Sequence, residues 1–314
     1  HSKKLAFAVL AAAAAVGATV APVSAANPVT EANGFITAAV GDQANQTPAA
    51  HNAVNYGFVA NNSATSIAVG QDNKITSVTG SSSAYGNQNT VNGDQANAFG
   101  DGNTVEGAYA QAFGDSNVIN GTHAIGYGYK NTVGESTSNF RDRDYDNEPD
   151  DATLRPGDWK TNSVAIGSEN TALGSSALAV GNGSQAKMSE AIAIGHAATA
   201  ERTWSTAIGT RANASEVRAQ AIGYEAAAAG YKANAIGSGA KATGAHTNAI
   251  GSSAIASGDH AQAYGAGAQA EGVRANAFGS DAHAKANYAM AIGDHSVVTD
   301  ANSVAIGYQS QSAP

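Results

Sequence analysis

The sequence predicts an all-β chain wound as a parallel β-roll, a β-solenoid with 14-residue turns. Three observations carry that expectation. From Gly167 to Gly307 a glycine returns with strict 14-residue spacing, at Gly167, Gly181, Gly195, Gly209, Gly223, Gly237, Gly251, Gly265, Gly279, Gly293 and Gly307. Each follows a large apolar residue, which itself follows an alanine, as in Ala165-Ile166-Gly167 and Ala277-Phe278-Gly279. Columns four residues before, three after and five after the glycine hold mainly Ala and small polar residues. A short fixed period with one supersecondary unit per repeat lets each turn cover the apolar face of the last, so function is to be sought on repeated surfaces rather than in a pocket.

Composition agrees. Only 13% of the 314 residues are charged and 36 are glycine, against averages of about 25% charged and about 7% glycine. Much of the 43% hydrophobic fraction is alanine and only 6% is aromatic, too little bulk for a globular core of ordinary thickness. Without cysteine there is no disulfide framework and no thiolate metal site. A net charge of −9 argues against general nucleic-acid binding, which needs clustered Lys and Arg.

Four segments follow along the chain. Residues 1–25 have the form of an export signal: Lys3 and Lys4, an apolar run from Leu5 to about Val20, then Val23-Ser24-Ala25 as a small-x-small cleavage site. Residues 26–126 are expected to form irregular turns, because apolar-Gly pairs recur at Gly41, Gly57, Gly70, Gly86, Gly100, Gly114 and Gly126 with spacings of 16, 13, 16, 14, 14 and 12. Residues 127–160 are expected to leave the stack as a charged loop insertion, since the 41-residue gap to Gly167 holds the acidic run Arg141 to Asp151 and two prolines, Pro149 and Pro156. Residues 161–314 are the regular 14-residue repeats.

Strand side chains alternate between faces, so each turn has two strands with one face of tiny residues and one outward face. The small faces fit a thin roll; the pattern alone also permits the reverse, with Ile inside and Ala outside. In the first arrangement Ile166, Ile194, Ile208, Ile222, Ile236, Ile250, Ile292 and Ile306 stand in one outward row with Val180, Tyr264 and Phe278. Covering such a row offers roughly 1.5–3 kcal/mol per fully buried aliphatic, so self-association through it is expected.

Five residues before the glycine runs a variable turn-edge column in which Trp204, Arg218, Lys232, His246, His260, Arg274 and Tyr288 are the candidate ligand-binding residues. At about 4.8 Å per turn these form a ladder of cationic and titratable groups with aromatic ends, suited to a repeating anionic polymer or an acidic protein patch. The alternative is a solvated edge that tolerates any polar residue. Asp142, Asp144, Asp146 and Glu148 alternate as calcium ligands do, but Asn147 stands where an EF-hand loop needs glycine, and Arg141 and Arg143 compete for the carboxylates. His246 and His260 lack a third ligand for zinc. No metal, no cofactor and no enzymatic activity is expected: there is no nucleophile elbow or phosphate loop, and Glu169, Glu190, Glu201, Glu225 and Asp281 are scattered.

Asn162-Ser163-Val164-Ala165-Ile166-Gly167 and Asn302-Ser303-Val304-Ala305-Ile306-Gly307 resemble the head repeat of YadA-like trimeric autotransporter adhesins, with the same 14-residue spacing. The Ala-Ile-Gly core or a close variant marks every turn from Thr161 to Gln311. The resemblance implies a left-handed parallel β-roll and a homotrimer, for which the eight isoleucines above are the interface. It further implies secretion to the cell surface at the outer membrane of a Gram-negative bacterium, a role in virulence, and adhesion to a host extracellular matrix protein such as collagen, or to another host or bacterial cell surface. Neck, coiled-coil stalk and barrel have no counterpart here, so membrane attachment is expected only through a C-terminal anchor beyond this sequence. In family terms the Asn-Ser-Val-Ala-Ile-Gly segments are associated with collagen recognition; the alternative is scaffold, with Val164, Ile166, Val304 and Ile306 simply buried. The competing function is a structural spacer or surface filament without a specific ligand.

Overall fold

The computed structural model describes residues 66–70, 72–76, 81–134 and 162–312, together with the backbone of short strands at 31–32, 35–36 and 54–55. The export signal and the acidic run lie outside these residues. Every coil contributes one longer and one two-residue strand, as in Val164–Ser168 with Thr171–Ala172 and Gln220–Ile222 with Ala227–Ala228. Each strand pairs in parallel with its counterpart one coil away, Ala165 opposite Ala179 and Ile222 opposite Ile236. The short strands alone make a 15-stranded sheet. The chain is thus an all-β parallel β-roll with a 14-residue coil.

Alanine lines the roll. In the coil around Gly223 the side chains of Ala219, Ala221, Ala226 and Ala228 are fully buried, and the same four columns are buried in the coils on either side. The repeat consists of two similar halves, each with two inward residues and one residue in the left-handed helical region, as at Arg218 (58°) and Glu225 (52°). Two strands brought this close leave room for a methyl group and little else. Large residues are pushed outward: Ile166 is 42% and Ile208 36% exposed, the other repeat isoleucines short of Ile306 are half-buried, and terminal Ile306 is 70% exposed. Of the two arrangements that the pattern allows, alanine inside is the one observed.

The repeated glycine is required by close approach. At Gly237 φ is +134°, and an added Cβ would lie 2.4 Å from the carbonyl oxygen of Gly251 in the next coil. The glycine column is therefore where successive backbones touch.

The early coils are filled differently. Ile75, Val91, Val105, Ile119 and Val133 occupy the inner position that later belongs to alanine. Beside them Asn73, Asn89, Asn103, Asn117, Asn131 and Asn170 form a buried ladder. Asn117 is typical: its Nδ2 donates to Asn103 Oδ1 at 2.9 Å and to the Gly128 carbonyl at 2.9 Å, while its Oδ1 accepts from the backbone N–H and Nδ2 of Asn131. Ser184 closes the series on Asn170.

This ladder changes the coil. Where asparagine is present, the N–H at its position bonds the side chain of the previous coil, and the longer strand runs five residues, as in Gln111–Asp115. From Ala212 onward no such acceptor exists. That N–H turns back to the glycine carbonyl of its own coil, at 3.3 Å in Ala212 to Gly209, and the strand shortens to three residues. Replacing Asn117 by Ala removes the acceptor of the Asn131 backbone N–H and one of the donors to the Gly128 carbonyl, an expected loss of about 1–3 kcal/mol. Faster hydrogen exchange at Asn131 and its neighbours checks this; unchanged protection contradicts it.

Two expectations are corrected. Gly126 is not a member of the glycine column: it stands opposite Ala112 and Ala165, and Gly128 takes the glycine position between Gly114 and Gly167. A Cβ at Gly126 would meet Ile119 Cδ1 at 2.3 Å, so a bulky inner residue has displaced an alanine to glycine. The gap in the series accordingly opens after Gly128, not Gly126, and closes at Gly167. Second, the stack runs past 126, through Ile125–Tyr129 and Thr132–Val133, before resuming in register with Ile125 opposite Val164. Residues 127–134 thus belong to a coil rather than to the insertion, and 135–161 lie outside the described residues.

Candidate functional site

The turn-edge column is built by the coil itself. Trp204, Arg218, Lys232, His246, His260, Arg274 and Tyr288 all have φ between 55° and 60°. Each donates its N–H to a carbonyl of the preceding coil, as in Arg218 to Thr203 at 3.1 Å and His246 to Tyr231 at 2.8 Å. The following residue in each case points into the roll, so the edge residue projects outward. All seven predicted site residues therefore stand in one unbroken row, Lys232 and His246 half-buried and the rest exposed.

Their side chains are ordered by stacking. His246 and His260 lie face to face, with ring centroids 4.9 Å apart and planes within 3°. Tyr231, one residue before Lys232, meets His246 edge-on at 5.3 Å. Arg218 Cζ sits 4.7 Å over Trp204, Arg274 Cζ 5.8 Å over Tyr288, and Lys232 Nζ 5.0 Å over Tyr231. Stacked like charges destabilise a ladder; here each permanent cation faces an aromatic ring, worth about 0.5–1 kcal/mol at an exposed site. The same edge begins earlier than the sequence indicated, with Tyr109 stacked on His123 at 4.8 Å.

The outward row continues too. Tyr85, Phe99, Phe113 and Tyr127 occupy the isoleucine position in the early coils, the first three stacked at 4.9 and 5.1 Å. The residue before Gly86, Gly100 and Gly114 signalled three of them; Tyr127 was hidden by the misplaced Gly126. Val164, Ile166, Val304 and Ile306 share this outward face, so within the chain they are not buried scaffold; Ser163 and Ala165 fill the roll instead.

The opposite edge carries polar side-chain pairs across coils. Arg211 Nη1 is 2.9 Å from Glu225 Oε1, and His295 Nε2 is 3.7 Å from Asp281. Hydrogen bonds from Arg211 and then Tyr224 hold the Glu225 carboxyl below its ordinary range. A carboxylate lowered in this way contributes its small, solvent-screened stability above its ordinary range and loses it as pH falls through the lowered value. Lys187 and Glu201 pair at 3.3 Å on the short-strand face.

Among the described residues no three His, Asp or Glu side chains converge as a metal site, and no helix is long and apolar enough to cross a membrane. The carboxylates Asp142, Asp144, Asp146 and Glu148 lie outside the described residues.

Comparison with protein families finds the one described as YadA head domain repeat, in a two-copy form, over residues 160–184, 186–212, 203–226, 270–296 and 284–310. A comparison with curated proteins gives no match. Heads of this family belong to adhesin-type proteins of the cell surface. The matched coils have the alanine-filled roll, the touching glycines and the outward apolar row described above, and the chain from residue 160 to 310 is a YadA-like head domain.

Proposed function

We propose that this head acts as a homotrimer, exported to the outer membrane surface of a Gram-negative bacterium, and adheres to a host matrix protein such as collagen or to another cell. The observation that carries the reading is the pairing of two continuous outward features. An apolar row unsuited to water runs beside an exposed edge of cations and aromatic rings. The row serves the trimer, through Ile166, Ile194, Ile208, Ile222, Ile236, Ile250, Ile292 and Ile306; the edge remains open to a ligand. Three chains with repeated edges multiply weak contacts without any deep pocket.

Saturable binding of the isolated head to immobilised collagen, fibronectin or laminin, or to intact cells, is the expected result. A correctly assembled trimer that binds none of these would instead be a spacer.

A further inference from the structure

The strand face that carries the isoleucine row holds a second outward column, two residues earlier and about 6.7 Å away along the chain. Whatever covers one column covers the other. Pairing of the long strands keeps this second column unbroken, from Ile67 opposite Ser83 to Val304 opposite Met290.

Its chemistry changes in blocks. After Ile67 come three polar residues, Ser83, Asn97 and Gln111, and then four aliphatic ones, Ile125, Val164, Leu178 and Ile192. Six polar residues follow, Thr206 and the amides Gln220, Asn234, Asn248, Gln262 and Asn276, before Met290 and Val304 end the series. The isoleucine row beside it is far more uniform. It is aliphatic without a break from Ile166 to Ile250.

Uniformity leaves the height of a partner chain undefined. A slip of one coil, ~4.8 Å, again sets an aliphatic residue against an aliphatic residue through that whole stretch, so the row attracts a second copy without fixing its register. The block column does not tolerate the slip. A one-coil offset puts a polar residue against an aliphatic one at each of four boundaries, at Ile67/Ser83, Gln111/Ile125, Ile192/Thr206 and Asn276/Met290. Because the blocks differ in length, no larger offset with useful overlap restores the match.

The amides supply the recognition. Each presents two N–H donors and an acceptor oxygen, so another amide is its reciprocal partner. Within the chain Asn234 Nδ2 donates to Asn248 Oδ1 at 2.7 Å, Asn248 Nδ2 donates to Gln262 Oε1, and Asn276 Nδ2 donates to the Arg274 carbonyl at 3.1 Å. These bonds orient the three groups and use one N–H of each, which leaves the other to a facing chain. Against an aliphatic surface the same groups lose water and gain nothing. A polar position in an apolar seam sets register in this way in coiled coils, at a cost in stability.

We propose that this column is a matching pattern by which copies of the chain assemble coil against identical coil, the amides from Gln220 to Asn276 bonding their counterparts across the interface. The proposal rests on the homotrimer reading and names what sets the register of that trimer.

Co-expression of the unmodified chain with a mass-tagged variant tests it. The variant carries Gln220→Leu, Asn234→Val, Asn248→Val, Gln262→Leu and Asn276→Val, and native mass spectrometry counts the mixed trimers. Alone, the variant is expected to trimerise and to resist heat at least as well as the unmodified chain, since apolar groups replace desolvated polar ones. Together with unmodified chains it should sort into its own trimers. Mixed species are expected at least about tenfold below their random share, because each strands amides against aliphatic side chains. Two unmodified chains that differ only in tag should mix at random. A second measurement needs no variant: Gln220 is exposed within a single chain, and in the assembled head its side-chain amide protons should exchange at least about tenfold more slowly than those of free glutamine. Random mixing of the variant, or fast exchange at Gln220, overturns the register proposal and leaves the trimer. A monomeric unmodified head overturns the homotrimer reading and this proposal with it.

Discussion

Replacing Ile222 and Ile236 together by Asp is expected to convert the proposed trimer into folded monomers in sedimentation. Both side chains stand half-buried on the outward row and pair coil to coil, Ile222 opposite Ile236. Neither enters the alanine-filled interior, so the β-roll itself should survive, as circular dichroism will show. In a trimer the two substitutions place six carboxylates in one interface, each with a desolvation cost of several kcal/mol. The apolar gain that they cancel is only about 1 kcal/mol for each residue already half covered by its own chain. An unchanged mass would refute the assignment of this row to the interface. Exchanging Ser238 for Asp, on an exposed position in the same coil, should leave the mass untouched.

The second large effect concerns two glycines of one coil. Gly237→Ala is expected to cost about 3–5 kcal/mol, the sum of an unfavourable backbone region and a backbone clash. Its φ is +134°, and the new Cβ would lie 2.4 Å from the Gly251 carbonyl oxygen and 2.6 Å from its carbon. Gly239→Ala should cost about 1 kcal/mol, because its φ of +67° suits the left-handed region that other residues also occupy at this column. The nearest atom there is Ser253 Oγ at 3.6 Å, an ordinary contact. Denaturant unfolding with hydrogen exchange in the flanking coils measures both. Equal losses at the two positions would show that coil contact is not what the repeated glycine serves.

The early coils warn against reading every glycine alike. Gly126 follows an apolar residue, like the members of the repeat, yet it fills an alanine position because Ile119 needs the space. Apolar-Gly pairing therefore identifies a coil without fixing its register; a complete 14-residue series does both. The asparagine ladder was legible as spacing, since Asn89, Asn103, Asn117 and Asn131 recur once per repeat. Its consequence was not. Whether a buried N–H bonds an asparagine one coil back or a glycine in its own coil depends on what stands across the stack.

Column chemistry in the sequence determined the coil length, the separation of alanine and isoleucine into opposite faces and the order of residues along the edge, because a period that holds over eleven repeats leaves one register in which to stack them. Only the tertiary structure decided which of two faces turned inward, how the first coils join the series, and how the edge side chains share their charge. Those outcomes rest on contacts between coils: methyl groups fit where two short strands meet, and Arg218 finds the ring of Trp204 one coil below. Side chains a full repeat apart in sequence are neighbours only after the chain has wound.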